Sequence, residues 1–497
     1  MTLPIVRITR APLSIEELLA VAGGADVELG DAARATIAAS RAVVDRMLEG
    51  DEPVYGLNTG VGHMKDVRLP AEELRAAQEM LLMTHAGGTG EPLSTERVRA
   101  AMAGRLNGIA RGGAGASARV ADVLVEMLNA GVHPIVPARG SVGTGDLGQL
   151  AFVGQVAIGR ARAELDGEIV PGGEALRRAG IEPLRLEPKD GLTIMSSNAV
   201  AIGDGAIALM RATRAASRAE VIAALSLEAT HGNPSIARAI VGEAKPFTGQ
   251  IESCAALRNA LEGSFLWEGG AAASVQDPLS FRVIPQVHGA FREAVAAARR
   301  AVETELNGRG DNPLVSIDDD AIVHNGNFHP LVMAISFDHL RIAAAHVGQI
   351  SDRRMSHLWD AFFDRVVGSA PPPPGWEPPE ALGLSLRYPA AAASSELKQL
   401  AAPATLDVPP LDIGVEDHAT GAPLAVRKAF EALRLLEEIL SIEVLMATDV
   451  LATERKAPAL GEGTARLAAG ARHAIDRLGD DRSPGEVQRS VAAEIFP

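Results

Sequence analysis

A glycine-rich stretch at residues 143–148 is the first place where residue types and spacing indicate chemistry. It reads Gly-Thr-Gly-Asp-Leu-Gly and matches G-x-G-x-x-G, a spacing that lets backbone amides at a helix start cradle a pyrophosphate. That fingerprint requires a strand before it and alternating strands and helices around it. Because Pro134 and Pro137 interrupt the preceding segment and no series of parallel strands follows, NAD binding is not expected.

Other polar clusters carry residue types suited to acid–base chemistry and anion binding. Tyr55 lies in YGLNTG, His85 in THAGGTGEPL, Arg282 in QDPLSFR and Glu416 in EDH. A free tyrosine titrates near about 10, so Tyr55 would need nearby positive charge or donors to act as a base. Arginine grips carboxylates with a bidentate fork. Each residue also has a structural alternative: a core tyrosine, a salt bridge, a core histidine and a helix-terminal acid.

Helices must position these clusters, because helical periodicity dominates the chain. Apolar residues recur at helical spacing within 13–50 and 71–129, and over longer runs from about residue 200 onward. Aromatic residues make up only 3% of the chain and alanine is abundant, which favours packed helices over sheets. An Asp-Gly pair at 166–167 predicts a short hairpin. We expect a mainly α protein with two regions: a smaller mixed N-terminal region, 1–200, and a long-helix bundle, 201–497.

Composition narrows the classes of function and of partner. The net charge of −16 argues against nucleic-acid and anionic-membrane partners. The single cysteine, Cys254, allows no intramolecular disulfide and is predicted to be buried in a helix. We find no signal-peptide core and expect no stretch long and apolar enough to span a bilayer, so we predict a cytoplasmic protein. No metal is expected, since the histidines are scattered and H-E-x-x-H is absent.

Taken together and in order, the clusters resemble those of the histidine and aromatic amino acid ammonia-lyase family. The matching segments are YGLNTGVG, THAGGTGEPL, RLNGIARGGAG, RGSVGTGDLGQLAF, QDPLSFRVIPQVHGA, GRGDNPLV, HNGNFH, SSELKQLAAPAT and VEDHATGAP. The resemblance covers nearly the whole chain. It implies a helical homotetramer of the histidine/phenylalanine ammonia-lyase type whose active sites are each assembled from several subunits. It also implies the reaction on a small-molecule substrate: α,β-elimination of an amine from an amino acid, which leaves an unsaturated acid.

The resemblance assigns roles residue by residue. Tyr55 matches the family's catalytic tyrosine base, and Arg282 matches the arginine that binds the substrate carboxylate. His85 and Glu416 match residues of the histidine-specific branch, where the acid faces the imidazole or the amine of the substrate. Further substrate-binding positions are expected at Asn325, Asn327, Phe328 and Ser196, and Lys398 is a further catalytic candidate beside Tyr55 and Glu416.

The chain departs from the family where the family builds its electrophile. The family's prosthetic group, MIO, forms when an internal Ala-Ser-Gly cyclises and loses water. The degenerate motif here is Gly143, Thr144, Gly145 and Asp146: one residue is missing and no serine precedes the glycine. A ring made from threonine would carry an extra methyl on the carbon that the amine attacks. Two family positions around the group, a tyrosine and an asparagine, have become Leu279 and Ser196.

These losses look selective, because the matches to the base and to the carboxylate-binding arginine remain. A lyase can work without MIO, and without any cofactor, if its leaving group is already good, as a quaternary ammonium is. The chain is similar in this respect to the family's ergothionase-type members, which eliminate trimethylamine from ergothioneine to give thiourocanate. Thr144 or Asp146 would fill the space of MIO. Two alternatives stay open: a histidine or aromatic ammonia-lyase or aminomutase with a Thr-derived MIO, and a non-catalytic homologue.

Overall fold

The computed structural model describes residues 5–367, 380–406 and 408–497, and α-helices dominate them. The α-helices are α1 (Ile15–Ala22), α2 (Asp31–Leu48), α3 (Leu74–His85), α4 (Thr95–Ala110), α5 (Ala118–Asn129), α6 (Leu147–Ala157), α7 (Gly172–Arg178), α8 (Asp190–Met195), α9 (Ala199–Ala229), α10 (Ala239–Glu243), α11 (Thr248–Ala260), α12 (Leu279–Arg282), α13 (Ile284–Asn307), α14 (Leu331–Val366), α15 (Arg387–Leu400), α16 (Ala422–Ala452), α17 (Glu462–Asp476) and α18 (Pro484–Ile495). The predicted mainly α class is confirmed.

Short strands accompany the helices. They are β1 (Val6–Ile8), β2 (Val27–Leu29), β3 (Thr89–Pro92), β4 (His133–Pro134), β5 (Pro137–Arg139), β6 (Arg162–Leu165), β7 (Glu168–Pro171), β8 (Leu314–Ser316) and β9 (Ala321–Val323). β1 and β2 pair in parallel, β3 pairs with β5, β4-β6-β7 form a three-stranded sheet, and β8 pairs with β9. The stretch 143–148 joins β5 to α6, but β5 runs antiparallel to its partner β3, unlike the strand of a dinucleotide-binding fold.

The chain forms two compact units. Unit 1 comprises Met1–Ile207, Arg299–Phe337 and Pro403–Arg427, and unit 2 comprises Ala208–Ala298, Asp338–Ala402 and Lys428–Pro497. All nine strands named above belong to unit 1, whereas the regular elements among the described residues of unit 2 are all helices. The predicted division of the chain at residue 200 into two functional regions remains a prediction.

Local sequence signals account for several element boundaries. Ser14 caps α1: its Oγ accepts from the Glu17 amide at 3.1 Å, and its own amide donates to the Glu17 carboxylate at 2.8 Å. The predicted hairpin is β6–β7, where Asp166 and Gly167 both have positive φ, 52° and 80°. That conformation suits a two-residue hairpin loop.

Long helices carry the apolar runs seen in the sequence. The four longest, α9, α13, α14 and α16, have 31, 24, 36 and 31 residues, and a limit between the two units falls inside each of them. Cys254 is buried in α11, as predicted. In unit 2, a core forms around buried apolar residues that include Leu257, Phe281 and Ile284. Helices of this length are stabilised chiefly by such packing rather than by intrinsic propensity.

The described stretch 190–229, which comprises α8 and α9, has the length and composition of a membrane-spanning segment. The mean hydropathy of its most apolar window is 1.4. The prediction that no stretch is long and apolar enough is therefore wrong on these two criteria. That window is 94% buried inside the protein. The core helix of a folded domain meets the same criteria, because it is apolar on most of its faces.

Candidate active site

Tyr55 lies on an irregular loop between α2 and α3 that is shaped by its own hydrogen bonds. Asn58 Oδ1 accepts from the Val54 amide at 2.7 Å, and Asn58 Nδ2 donates to the Glu52 carbonyl at 2.9 Å. Asparagine side chains close turns in this way by bonding to nearby backbone groups. The Tyr55 hydroxyl accepts a hydrogen bond from the Gly62 amide at 3.0 Å. The loop therefore fixes both the backbone and the hydroxyl of Tyr55.

A turn formed by residues 411–416 contacts this loop. Asp412 Oδ2 accepts from the His63 amide at 2.9 Å, and Asp412 Oδ1 lies 2.6 Å from His63 Nδ1. Gly62 permits this approach, because its φ is 58° and a Cβ there would collide with the Asp412 carboxylate. The turn is closed by paired backbone hydrogen bonds between Leu411 and Glu416, at 2.8 and 3.3 Å. The Glu416 backbone is thus held in place next to the Tyr55 loop.

The loop 141–145 is held by a ring of hydrogen bonds. Ser141 Oγ accepts from the Gly143 amide at 3.0 Å and donates to the Gly145 carbonyl at 3.1 Å. The Gly145 amide donates to Asn198 Oδ1 at 3.1 Å. These bonds fix the backbone on both sides of residue 144.

Thr144 projects from this loop toward the turn that carries Glu416. Its hydroxyl lies 3.5 Å from Glu416 Oε2. The Gly143 carbonyl accepts from Thr420 Oγ1 at 2.9 Å, and a Cβ on Gly143 would collide with that hydroxyl. Gly143 also has a φ of 91°, so two independent reasons require glycine at this position.

The three segments line one cavity of about 830 Å³ in unit 1. Its lining combines groups able to donate, accept or transfer protons with apolar side chains that can exclude water. The polar groups include Tyr55, His63, Gln78, Thr84, His85, Arg139, Ser141, Thr144, Asp412 and Glu416, and the apolar groups include Val61, Met64, Leu69, Met80, Leu81, Leu147 and Leu192. The structure thus brings the predicted Tyr55, His85, Thr144, Gly145 and Glu416 together.

Burial and two carboxylates set the electrostatics of Tyr55. Burial raises the pKa of Tyr55 above its usual 10, the Gly62 amide opposes that shift, and the Glu416 and Asp412 carboxylates add to it. Burial likewise raises the pKa of Glu416, with a further rise from Asp412 and opposition from Thr144 and His85. The charged groups that act on Tyr55 are therefore negative, the opposite of the positive surroundings that would activate it as a base. A cationic ligand in this cavity would lower both pKa values.

His85 is the last residue of α3, and its ring orientation follows from that position. Its Nδ1 lies 2.9 Å from the Leu81 carbonyl, one turn earlier in the helix. A carbonyl only accepts, so Nδ1 carries the proton and Nε2 of the neutral ring is left as an acceptor. His85 can therefore accept a hydrogen bond from a ligand in the cavity.

A smaller cavity of about 330 Å³ shares Tyr55, Thr144 and Glu416 with the first. Ser196 and Phe328, both predicted site residues, line this second cavity. Also lining it are two histidines in mutual contact, with His329 Nε2 2.9 Å from His418 Nδ1. Among the described residues, no group of three or more histidine, cysteine, aspartate or glutamate side chains is arranged to hold a metal ion.

Asn325 and Asn327 order the backbone of the segment before Phe328. Neither residue lines either of the two cavities. Asn325 Nδ2 donates to the Asp311 carbonyl at 3.0 Å, and its Oδ1 accepts from the Asn327 amide at 2.8 Å. Asn198 Nδ2 donates to the Phe328 carbonyl at 2.9 Å. Both asparagines therefore make contacts that order the backbone around them.

Asp146 is fully buried directly after the glycine loop. Its Oδ2 accepts from the Ala201 amide at 2.9 Å, and its own amide donates to the Ser197 carbonyl at 2.6 Å. Burial raises its pKa to about 6, against the opposing hydrogen bonds from Ala201 and Ser141. Asp146 does not line either cavity and ties the glycine loop to the start of α9.

Arg282 and Lys398 belong to unit 2. Arg282 ends α12 and is half-buried; with the Gln276 amide oriented to accept, its Nη2 donates to that oxygen at 3.3 Å. Its Nε has no hydrogen-bond partner among the described residues. Lys398 lies exposed near the end of α15. The guanidinium of Arg282 thus has a buried donor without an acceptor among the described residues, and Arg282 lines neither of the two cavities.

Comparison with known proteins adds a decisive observation to this geometry. The family model described as aromatic amino acid lyase matches residues 13–473. The chain belongs to this family. It is therefore a carbon–nitrogen lyase by family, as the resemblance of its motifs implied.

Individual relatives are named for several activities, among them histidine ammonia-lyase, ergothionase and amino acid aminomutases. Histidine ammonia-lyase from Anaeromyxobacter sp. (strain K) is 38% identical over 489 residues, which cover 95% of this chain and 94% of that protein. The crystal structure of ergothionase from Treponema denticola, in complex with desmethyl-ergothioneine sulfonic acid, matches with a TM-score of 0.90 and 30% identity, over 99% of this chain and 98% of that one. Histidine ammonia-lyase from Trypanosoma cruzi matches with a TM-score of 0.87 and 28% identity, over 99% and 93%.

The residues at 143–145 do not fit the family's MIO group. A ring across this tripeptide would join the Gly145 nitrogen to the Gly143 carbonyl carbon. The Gly145 amide instead donates to Asn198 Oδ1, and the Gly143 carbonyl accepts from Thr420 Oγ1. The middle residue, Thr144, also brings a methyl to the carbon that would have to be unsubstituted for attack by an amine.

The polar lining residues that sequence reasoning missed include His63, Asp412, His329 and His418. His63 lies in the same glycine-rich loop as Tyr55, which is a signal that could have singled it out. Asp412 lies in a segment with no motif, and its contact with His63 joins residues 349 positions apart. Only the fold reveals a pair of that kind.

Proposed function

We propose that this protein catalyses an MIO-independent α,β-elimination that releases a tertiary amine, with ergothioneine as the best substrate and thiourocanate and trimethylamine as products. The observation that carries the proposal is the position of Thr144. The cavity holds a potential base, Tyr55, and an acid, Glu416, while the residue at the electrophile's position is a threonine flanked by glycines. The likeness to an ergothionase structure supports the same conclusion.

In this proposal Tyr55 removes the β-proton of the substrate. Its hydroxyl must be deprotonated first, and the Gly62 amide that bonds to it stabilises the phenolate. The C–N bond then breaks, the electron pair of the β-carbon forms the double bond, and trimethylamine leaves as a neutral molecule. A neutral leaving group needs no electrophile, which is why the missing serine does not prevent the reaction.

The charges around Tyr55 suit a substrate with a permanent cation. The Glu416 and Asp412 carboxylates raise the pKa of Tyr55 in the free protein. A trimethylammonium group bound beside them offsets that negative charge and brings the pKa of Tyr55 back down. Substrate binding therefore helps to generate the base. Glu416 and the acceptor Nε2 of His85 are proposed to contact the substrate's ring or cation.

The remaining predicted residues complete the proposed site. Arg282, with its unpartnered Nε, is proposed to bind the substrate carboxylate, and Lys398 to contact the substrate from the same unit. Ser196 and Phe328 line the second cavity and are proposed to bind substrate directly. Asn325 and Asn327 are proposed to support binding by holding Phe328 in place.

The assembly implied by the family resemblance is a homotetramer in which several subunits complete each site. Complementation tests it: Tyr55→Phe and Arg282→Met variants are purified separately and after co-expression. If different subunits supply the two residues, the mixed assembly regains up to a quarter of its sites with both intact. Activity that never exceeds that of either single variant would argue for a site completed within one chain.

The function is tested by incubating the purified protein with ergothioneine, hercynine and histidine. Release of trimethylamine and growth of the ultraviolet band of the conjugated acid are followed together. We expect turnover of one or both betaines and none of histidine. Ammonia released from histidine would overturn the proposal.

A second candidate, histidine ammonia-lyase activity with a group derived from Thr144, is favoured by the 38% identity to histidine ammonia-lyases. Intact and peptide mass spectrometry distinguishes the two. Loss of water from the peptide that contains residues 140–148 would support this candidate, and an unmodified peptide would support MIO-independent elimination.

A further inference from the structure

We propose that His63 and Asp412 are positioning residues that set the separation between the Tyr55 hydroxyl and the Glu416 carboxylate. The inference rests on the roles proposed above for Tyr55 and Glu416. Neither His63 nor Asp412 is assigned a role by the motifs of the family. Their contact links the Tyr55 loop directly to the turn 411–416 through side-chain atoms.

A continuous series of short contacts connects the two reactive groups through this pair. The Gly62 amide bonds to the Tyr55 hydroxyl, and the next residue, His63, bonds to Asp412 through both its amide and its ring. Asp412 is adjacent to Leu411, which pairs with Glu416 through two backbone hydrogen bonds. A displacement of Asp412 from His63 would therefore shift Glu416 relative to Tyr55.

The backbone of the turn shows why it needs an external contact. Asp412, Ile413 and Gly414 have φ values of 46°, 56° and 82°, so two residues with side chains adopt the left-handed region in succession. That region is particularly unfavourable for β-branched isoleucine. The Ile413 side chain is 88% exposed, so packing does not compensate for the strain. The Asp412 contact with His63 and the pairing of Leu411 with Glu416 help to retain this conformation, together with the Gly414 and Val415 amides, which donate to the Leu411 and Asp412 carbonyls at 3.0 and 3.1 Å.

The electrostatics agree with a central position for Asp412. Its carboxylate raises the pKa of Tyr55 and also the pKa of Glu416, which places it close to both groups. His63 donates two hydrogen bonds to that carboxylate and so limits where its charge can lie. The His63–Asp412 contact thereby fixes the position of the Asp412 charge as well as the backbone of the turn 411–416.

Hydrogen–deuterium exchange tests the coupling without any substrate. His63→Ala removes the ring contact, His63→Asn keeps a nitrogen donor at the δ position, and Lys65→Ala is the control in the same loop, where Lys65 pairs with Asp66. We expect amide exchange at 411–416 to rise at least tenfold in His63→Ala, to stay near wild type in His63→Asn, and to be unchanged in Lys65→Ala. Unchanged exchange in His63→Ala would overturn the proposal.

Kinetics with ergothioneine supply the second measurement. We expect His63→Ala to lower kcat at least tenfold with less than a threefold change in KM, and His63→Asn to restore most of the rate. A large rise in KM with kcat retained would overturn the positioning role. If the wild-type protein turns over no betaine, the proposed function fails, and the exchange experiment alone decides whether the pair holds the turn.

Discussion

The Thr144 hydroxyl lies 3.5 Å from Glu416 Oε2, so the acid proposed to face the substrate contacts the residue that stands where the family builds its electrophile. At this distance the hydrogen bond is weak. Thr144 therefore adjusts the position of Glu416 without holding it firmly, and the reaction proposed for this protein does not depend on the threonine hydroxyl.

Replacement of that threonine provides the first prediction. Thr144→Ala should lower kcat/KM for ergothioneine by less than about tenfold, because it removes one weak hydrogen bond worth less than about 1.4 kcal/mol. Steady-state kinetics of Thr144→Ala and of the conservative Thr144→Ser measure the effect. A thousandfold loss in Thr144→Ala would instead identify the threonine as the source of a reactive group.

The two tyrosines of the chain form a matched pair for testing the base. Tyr55→Phe should lower kcat by about 10²–10⁴-fold, the usual contribution of general base catalysis. Tyr388 is 78% exposed on α15 of unit 2, and Tyr388→Phe should leave kcat within twofold of wild type. Near-wild-type activity in Tyr55→Phe would mean that another group removes the proton.

The pH dependence of the reaction follows from the surroundings of Tyr55. Its pKa is raised above 10, chiefly by burial, and only the deprotonated form acts as a base. The value of kcat/KM should therefore rise about tenfold per pH unit through the neutral range, since this ratio reports the free enzyme.

Asp412→Asn tests the electrostatic part of that pH dependence. Asp412 raises the pKa of Tyr55. Neutralising Asp412 therefore lowers the pKa of Tyr55 and shifts the rising limb of the pH–rate profile to lower pH. The position of the limb is the measured quantity, because the height of the profile also depends on the contact with His63. A limb that stays at the wild-type pH would show that Asp412 does not act on the base.

Asp146 gives a prediction for stability. Its pKa is raised to about 6, so the folded state favours its neutral form. The contribution of the protonated Asp146 side chain to the free energy of unfolding is therefore fully present below about pH 4. It is lost as the pH rises through about 6. A shift from 3.8 to about 6 corresponds to about 3 kcal/mol.

Asp146→Asn should remove this pH dependence, because the amide does not titrate and its oxygen can still accept from Ala201. Unfolding measured from pH 4 to pH 7 should show the variant gaining stability relative to wild type as the pH rises. Asp66→Asn, whose parent side chain is 85% exposed, is the control and should track wild type. Parallel curves for wild type and Asp146→Asn would contradict the prediction.

Much of the fold could be predicted from local signals, because those signals act over a few residues. The Ser14 capping box, the Asp166–Gly167 hairpin and the long apolar helices all depend on neighbours within one or two turns. The apolar stretch 190–229 shows the limit of such reasoning. Composition alone does not distinguish a helix buried in protein from one buried in lipid.

The candidate site was predictable only in part, for a related reason. Tyr55, His85 and Glu416 were identified by motifs and do line one cavity. The contact of His63 with Asp412 depends on a turn with left-handed residues, and no local sequence preference favours isoleucine in that conformation. The backbone contacts of Asn325 and Asn327 also appear only once distant segments are folded together.

The fit of Thr420 against Gly143 bears on whether the family's Ala-Ser pair could be introduced at residues 143–144. The Thr420 hydroxyl occupies the volume that an alanine methyl at 143 would need, and it also bonds to the carbonyl there. Substitution of Ala-Ser for residues 143–144 would therefore fail sterically unless Thr420 were shortened at the same time. An engineered chain that carries the family's residues here would therefore need a compensating change 277 positions away, at residue 420.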